Sequence, residues 1–243
     1  MISIIICSID DSKFKAVTDN YSKLLAGEEF EIIGIHDAKS LCEGYNRGIR
    51  LSCGSILVFS HDDIEILSPD FKYKLMRYLA KYDIIGVAGT THLIGGNWIG
   101  AGRSEVHGQV AHWIPQTGEY AIAVYGNSAP VIENIQALDG LFFAVNRHVT
   151  QKVLFDEMTF DGFHHYDLDF TFAAYLANFR LAVCNDIAIV HQSTGKHDAK
   201  WEEYRRRFLA KHEPALMRNR SLKPVHDTVV VKTKEEVLSF WSE

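Results

Sequence analysis

The chain has no Cys-x-x-Cys pair, no Gly-x-Gly-x-x-Gly run, only five prolines, no excess of basic charge and no apolar stretch near a membrane span in length. Each lack excludes something. The four cysteines, Cys7, Cys42, Cys53 and Cys184, lie far apart, which fits neither a zinc knuckle nor a disulfide framework. Cys7 and Cys184 fall inside apolar runs and read as small core residues. Where a dinucleotide enzyme would carry its glycine-rich turn, Ile6-Cys7-Ser8-Ile9-Asp10-Asp11 stands instead, which argues against an oxidoreductase of that kind. A membrane helix needs about 20 apolar residues, and no run approaches that. The start, Met1-Ile2-Ser3-Ile4, lacks the basic segment of a signal peptide. The expectation is therefore a protein of the cytoplasm with no transmembrane segment. Lys and Arg number 25 against 31 Asp and Glu, net −6, which argues against nucleic acid as a partner. The densest basic run, Arg205-Arg206-Arg207, lies beside Glu202 and Glu203 and reads as a solvated helix face.

What is present is a globular composition, 47% apolar and 23% charged over 243 residues, long enough for a sizeable core without staples. Residues 2–6, 30–35, 55–59 and 84–88 are short β-branched or apolar runs, as expected of buried strands. Between them, 14–25 is helix-like, and Ser40-Leu41-Cys42-Glu43 has the form of a capping box opening a helix to about residue 52. Ser68-Pro69-Asp70 resembles another helix start. This alternation predicts βαβ units and a mostly parallel central sheet with helices on both faces. Residues 92–136 are rich in Gly, His and aromatics with weak periodicity, and read as a long irregular, functional stretch. Further strands are expected over 138–145 and 181–190, helices over 167–178 and 199–211, and a peripheral strand and helix over the last thirty residues. With no repeat or linker, one domain is expected: 1–195 as an α/β unit and 196–243 as a helical extension packed on it.

Ligands in open α/β sheets bind beyond the carboxyl ends of the strands. Ser8 and Asp10 follow the first strand, His36 and Asp37 the second, and His61, Asp62 and Asp63 the third, while His191 follows a late one. Carboxylates leaving a buried strand repel one another unless a cation sits between them, and hard divalent cations favour oxygen ligands, with one histidine acceptable. Capping of a turn or helix would explain the same residues. In Asp161-Gly162-Phe163-His164-His165-Tyr166-Asp167-Leu168-Asp169, the last two carboxylates open a helix. The helix dipole favours them there, or one serves as a general base beside a cleft.

The order and content of these segments resemble the family-2-type glycosyltransferases with the GT-A nucleotide-sugar fold, closest to the subgroup that includes streptomycin-biosynthesis homologues. The resemblance covers roughly residues 1–195. It runs through Ser3 to Ser8, Glu31 to Asp37, the Asn46-Arg47-Gly48 element, Cys53 to Asp63, Asp139 to Arg147, and Phe155 to Asp169. His-Asp-Asp at 61–63 stands where the family has Asp-x-Asp, and Tyr166 stands where it has the Glu of a Glu-Asp pair.

The resemblance implies a metal-dependent inverting transfer of a hexose from a nucleotide-diphosphate donor to an acceptor hydroxyl, with Asp167 as general base. Ser8, Asp10, Asp37, Asn46 and Asp62 are then the nucleotide-binding candidates. Asp63, His191 and His61 are the candidates for holding Mn²⁺ or Mg²⁺. Trp98, Asp139 and Gly140 are the candidates for the acceptor side. The acceptor's identity and the oligomeric state are left open. Two other readings stand beside this one. One is a nucleotide-sugar-binding protein with little or no transfer. The other is a zinc-dependent hydrolase built on His164, His165, Asp167 and His191.

Overall fold

Isoleucine at positions 2, 4, 5 and 6 makes the first strand, β1 (Ile2–Cys7), because β-branched side chains pack well on a pleated surface and both faces of this strand are covered. In this computed structural model, which describes residues 1–193, 198–222 and 233–234, β1 lies between β2 (Phe30–Ile35) and β3 (Ile56–Ser60), parallel to both. The connecting helices are α1 (Asp11–Leu24) and α2 (Leu41–Leu51). Ser40 caps α2 by accepting from the Glu43 amide at 3.0 Å, while the Glu43 carboxylate accepts from the Lys39 amide at 3.1 Å. Gly44 and Gly48, one turn apart, let α2 lie close on β1. A Cβ on Gly48 would come within 2.2 Å of the Ile5 side chain, and one on Gly44 within 2.5 Å of the Cys7 sulfur.

Beyond β3 follow β4 (Ile64–Ile66), α3 (Phe71–Leu79), β5 (Ile84–Gly86), β6 (Ala88–Thr90), a 3₁₀ turn (Trp98–Ala101), β7 (Val106–Ile114), β8 (Glu119–Tyr125), β9 (Val131–Ile135), β10 (Ala137–Leu138) and β11 (Phe142–Asn146). The chain continues through α4 (Arg147–Thr150), α5 (Tyr166–Leu176), β12 (Leu181–Cys184), β13 (Ile189–His191) and α6 (Ala199–Leu222). One sheet has the order β2-β1-β3-β11-β5-β12-β9, and a second has β10-β6-β7-β13-β4, with β8 paired on β7.

The expected α/β fold is present, but "mostly parallel" holds only for the part built by β1, β2 and β3. Beyond it the sheet is mixed, because β11 returns antiparallel between β3 and β5. The strands expected over 84–88, 138–145 and 181–190 each divide between the two sheets. Both halves of each are buried, so the sequence reads as one apolar run and hides the break. Residues 92–136 are not irregular throughout. They contain the long hairpin β7–β8, whose second strand is exposed along most of its length, so its apolar and polar positions do not sort into two faces. The C-terminal helix runs to Leu222, past the expected end at 211, with Pro214 inside it. The boundary expected at 195 and most of the expected terminal strand and helix lie outside the described residues.

An aromatic cluster underlies the sheet edge. Phe155 stacks on Phe170 with centroids 4.2 Å apart, Phe59 meets Phe155 edge-on at 5.1 Å, and Tyr45 bridges from Phe59 to Tyr166 at 5.0 and 5.6 Å. On the far side of α5, the buried Asp169 carboxylate binds the Lys211 ammonium at 2.8 Å and His212 Nε2 at 2.7 Å, fastening α6 to α5.

Candidate active site

Because β1, β2 and β3 are parallel neighbours, their carboxyl ends open on one edge, and the polar residues that follow them gather there. Ser8 Oγ donates to Asp62 Oδ2 at 2.6 Å, and His36 Nδ1 lies 2.9 Å from the Ser8 carbonyl oxygen. Asp10 caps α1, accepting from the Ser12 and Lys13 amides at 2.9 and 3.0 Å. Asp37 is exposed and pairs with Arg47 at 2.7 Å. The Arg47 hydrogen bond and charge hold its carboxyl below the usual range. Asn46 is buried, and both ends of its amide are occupied by the backbone of Phe155, at 2.8 and 3.1 Å, so it braces α2 against that segment.

A second convergence comes from strand register. β4 starts directly after the His61-Asp62-Asp63 run and pairs antiparallel with β13, which sets Ile64 opposite His191 and brings His191 beside Asp63. His191 Nε2 is 3.2 Å from Asp63 Oδ1 and 3.4 Å from His61 Nδ1, and His61 Nδ1 is 3.9 Å from Asp63 Oδ1. Burial pushes the Asp63 carboxyl up, but the His191 hydrogen bond and charge, and then His61, overcome this and hold it well below the usual carboxylate range. Burial, and then His191, hold the His61 imidazole below its ordinary value. Donors about 2.0–2.2 Å from one ion and roughly a right to tetrahedral angle apart lie about 3–3.6 Å from each other. Two sides of this His–Asp–His triangle fall in that range, and the His61–Asp63 side, at 3.9 Å, needs a small closing movement to share a divalent cation. Lys13, on the first turn of α1, reaches within 3.8 Å of Asp63 Oδ2.

A cavity of about 500 Å³ opens beside this cluster, lined among others by His61, His191, Trp98, Asp139, Tyr166 and Asp167. Asp139 lies in the turn between β10 and β11 and accepts from Trp98 Nε1 and from the Leu141 amide, each at 3.0 Å. Asp167 is half-buried in the first turn of α5. Burial, and then the charge of Asp139, push its carboxyl up to about 7, against the pull of backbone amides at Leu168, Asp167 and Gly140. Tyr166 is buried, and its hydroxyl lies 2.7 Å from His61 Nε2 and 3.1 Å from the Gly140 carbonyl oxygen. A Cβ on Gly140 would come within 2.2 Å of that hydroxyl.

His164, His165, Asp167 and His191, the residues of the hydrolase reading, all line this cavity but form no metal-holding group among the described residues. His165 Nε2 is 2.9 Å from the Gly96 carbonyl oxygen and His164 Nε2 is 3.7 Å from Asp198, so the neighbouring rings point to different partners. Among the described residues, the group able to hold a metal is His61, Asp63 and His191. Sequence reasoning missed the contact of Lys13 with Asp63 and that of Tyr166 with His61. The signal for Tyr166 was its pairing with His61: both depart from the family pattern, and they touch.

Residues 3–212 match the model of the Glycosyltransferase like family. The chain belongs to that family. Its match runs past residue 195 into α6. Among solved structures, the chain is similar to the mannosyltransferase PcManGT from Pyrobaculum calidifontis in complex with GDP-Man and Mn²⁺. The TM-score is 0.55 at 10% identity, over 89% of this chain and 64% of that one. This chain thus spans less than two thirds of that transferase. A looser likeness, TM-score 0.49 at 12% identity over 79% of this chain and 44% of the other, is to GalNAc-T7 with UDP, GalNAc and Mn²⁺. No curated protein matches the chain in sequence. The fold of this family member is the GT-A-type α/β fold, and no helix among its described residues is long and apolar enough to cross a membrane.

Proposed function

We propose that this protein moves a hexose from a nucleotide-diphosphate sugar to an acceptor hydroxyl, with inversion at the anomeric carbon and Asp167 as general base. The observation that carries the reading is the place of the Asp167 carboxyl, pushed up by burial and by Asp139, on the wall of the cavity that also bears His61 and His191, in a chain of the glycosyltransferase-like family. A carboxylate of that basicity takes a proton near neutral pH far better than an ordinary one. Asp167 removes the proton from the acceptor hydroxyl. That oxygen attacks the anomeric carbon from the face opposite the nucleotide, and the bond to the diphosphate breaks as the new one forms. A divalent cation, Mn²⁺ or Mg²⁺, held by His61, Asp63 and His191 would offset the negative charge gained by the diphosphate.

Ser8, Asp10, Asp37 and Asp62, at the carboxyl ends of β1, β2 and β3, serve base and ribose, with Asn46 acting from behind through α2. Trp98, tied by its indole nitrogen to Asp139, offers an aromatic wall to the acceptor near Gly140. The kinship to streptomycin-biosynthesis homologues and a place in the cytoplasm belong to the same reading.

The test is thermal melting with UDP, GDP, CMP and TDP, each with and without Mn²⁺. A ligand at about 100 times its Kd stabilises a fold by about 2.7 kcal/mol, so a metal-dependent rise with one nucleotide is expected and names the donor class. Transfer is then assayed with Asp167→Asn. Transfer retained in that variant removes Asp167 as the base.

A further inference from the structure

The two residues that depart from the family pattern, His61 and Tyr166, are 105 positions apart in sequence and joined by a hydrogen bond. The Tyr166 hydroxyl carries a single proton. It faces a carbonyl oxygen, that of Gly140 at 3.1 Å, which can only accept, and a ring nitrogen, His61 Nε2 at 2.7 Å, which can accept or donate. One arrangement satisfies both contacts: the hydroxyl donates to Gly140, and His61 Nε2–H donates to the hydroxyl oxygen. Neutral His61 then carries its proton on Nε2, and Nδ1 is left with its lone pair. Nδ1 is the atom that points at His191 Nε2, 3.4 Å away, and at Asp63 Oδ1, 3.9 Å away. The Tyr166 ring is held by burial and by its edge contact with Tyr45, and the bare Cα of Gly140 makes room for the hydroxyl.

We propose that Tyr166 is a positioning residue for the metal centre: its hydroxyl fixes His61 as the Nε2–H tautomer and so presents Nδ1 to a cation shared with Asp63 Oδ1 and His191 Nε2. The inference rests on the cation of the reading above and not on sugar transfer. It also assigns a metal preference. Two imidazole nitrogens and one carboxylate disfavour Mg²⁺, which keeps an all-oxygen shell, relative to Mn²⁺, and bind the later ions Co²⁺ and Zn²⁺ more tightly than Mn²⁺. Loss of an outer partner that orients a ligating histidine typically weakens metal affinity about 10–100-fold.

The experiment is metal titration by calorimetry, with pulsed EPR of the Mn²⁺-loaded protein, nucleotide left out throughout. The full chain, Tyr166→Phe, His61→Asp and the double variant are compared, each checked for folding by circular dichroism. The parent should bind Mn²⁺ with two histidine nitrogens coupled to the ion and prefer it over Mg²⁺. Tyr166→Phe should bind about 10–100-fold more weakly. His61→Asp should show one nitrogen and a gain in relative Mg²⁺ affinity, and adding Tyr166→Phe to it should change Mn²⁺ affinity no further. The proposal is overturned if the parent binds no Mn²⁺, if it shows a single nitrogen, or if Tyr166→Phe binds as tightly as the parent. Two-nitrogen binding with the expected cycle, but no nucleotide affinity, would sink the transferase reading and leave Tyr166 its role. A parent that binds no Mn²⁺ yet is stabilised by a nucleotide in the melting test would do the reverse.

Discussion

The Asp167 carboxyl, already pushed up by burial, is raised further by the charge of Asp139 across the same cavity, to about 7. If Asp167 is the base, kcat/KM rises with pH through an inflection near 7, since the base must be free of its proton. Asp139→Asn removes the neighbouring charge while keeping the side chain's shape, so the ascending limb moves to lower pH. A pH–rate profile of the two proteins checks this, and an unmoved limb would mean that another group sets the profile.

The same carboxyl affects stability. Its folded value lies above the unfolded one, so the fold favours the protonated form. Its contribution is full below about pH 4 and is lost as pH rises toward 7. Asp167→Asn is expected to melt with the parent at pH 4 and above it at pH 8, by at least about 2 °C, given roughly 2–4 °C per kcal/mol for a chain of this size. Its transfer rate should fall by about 10²–10⁴-fold.

Asp63→Ala removes the carboxylate of the His–Asp–His triangle and should abolish the dependence of nucleotide binding on Mn²⁺. Calorimetric titration of the preferred nucleotide, with and without Mn²⁺, checks it. Unchanged metal dependence in the variant would move the cation elsewhere.

Asn46→Ala breaks two buried hydrogen bonds to Phe155, and each unsatisfied partner left behind costs about 1–3 kcal/mol. A lower denaturation midpoint with nucleotide affinity nearly intact is expected if Asn46 acts as a brace. A large loss of affinity at full stability would make it a direct contact.

Asp169→Ala takes away the carboxylate shared by Lys211 and His212. Lys211 keeps Asp156 at 2.8 Å, so the loss expected, read by urea unfolding, is that of the buried His212 contact, about 1–3 kcal/mol. Asp169 stands two residues from Asp167, so transfer should also weaken in the folded fraction.

The first half of the fold was legible because buried parallel strands advertise themselves as unbroken β-branched runs, as in Ile2–Cys7 and Ile56–Ser60, and because groups after such strands meet on one edge. That is why Ser8 and the Asp62-Asp63 pair, far apart in the chain, read as neighbours. The second half was less legible. Whether Ala88–Thr90 or Ile189–His191 continues one sheet or enters another depends on register, which leaves no mark when both sides are buried. The hairpin β7–β8 was hidden by its exposure. Tyr166 was visible only as a residue out of place, since its reason is a hydrogen bond to His61 that no local pattern encodes.

The groups able to hold a cation come from two distant places in the chain, the turn after β3 and the end of β13, with His61 and His191 130 residues apart. An unfolded chain cannot hold them together, so an ion seated there would act as a clasp between the two sheets. Chelation during preparation would then loosen the molecule as well as silence it, and its apparent robustness would vary with the free metal in the buffer.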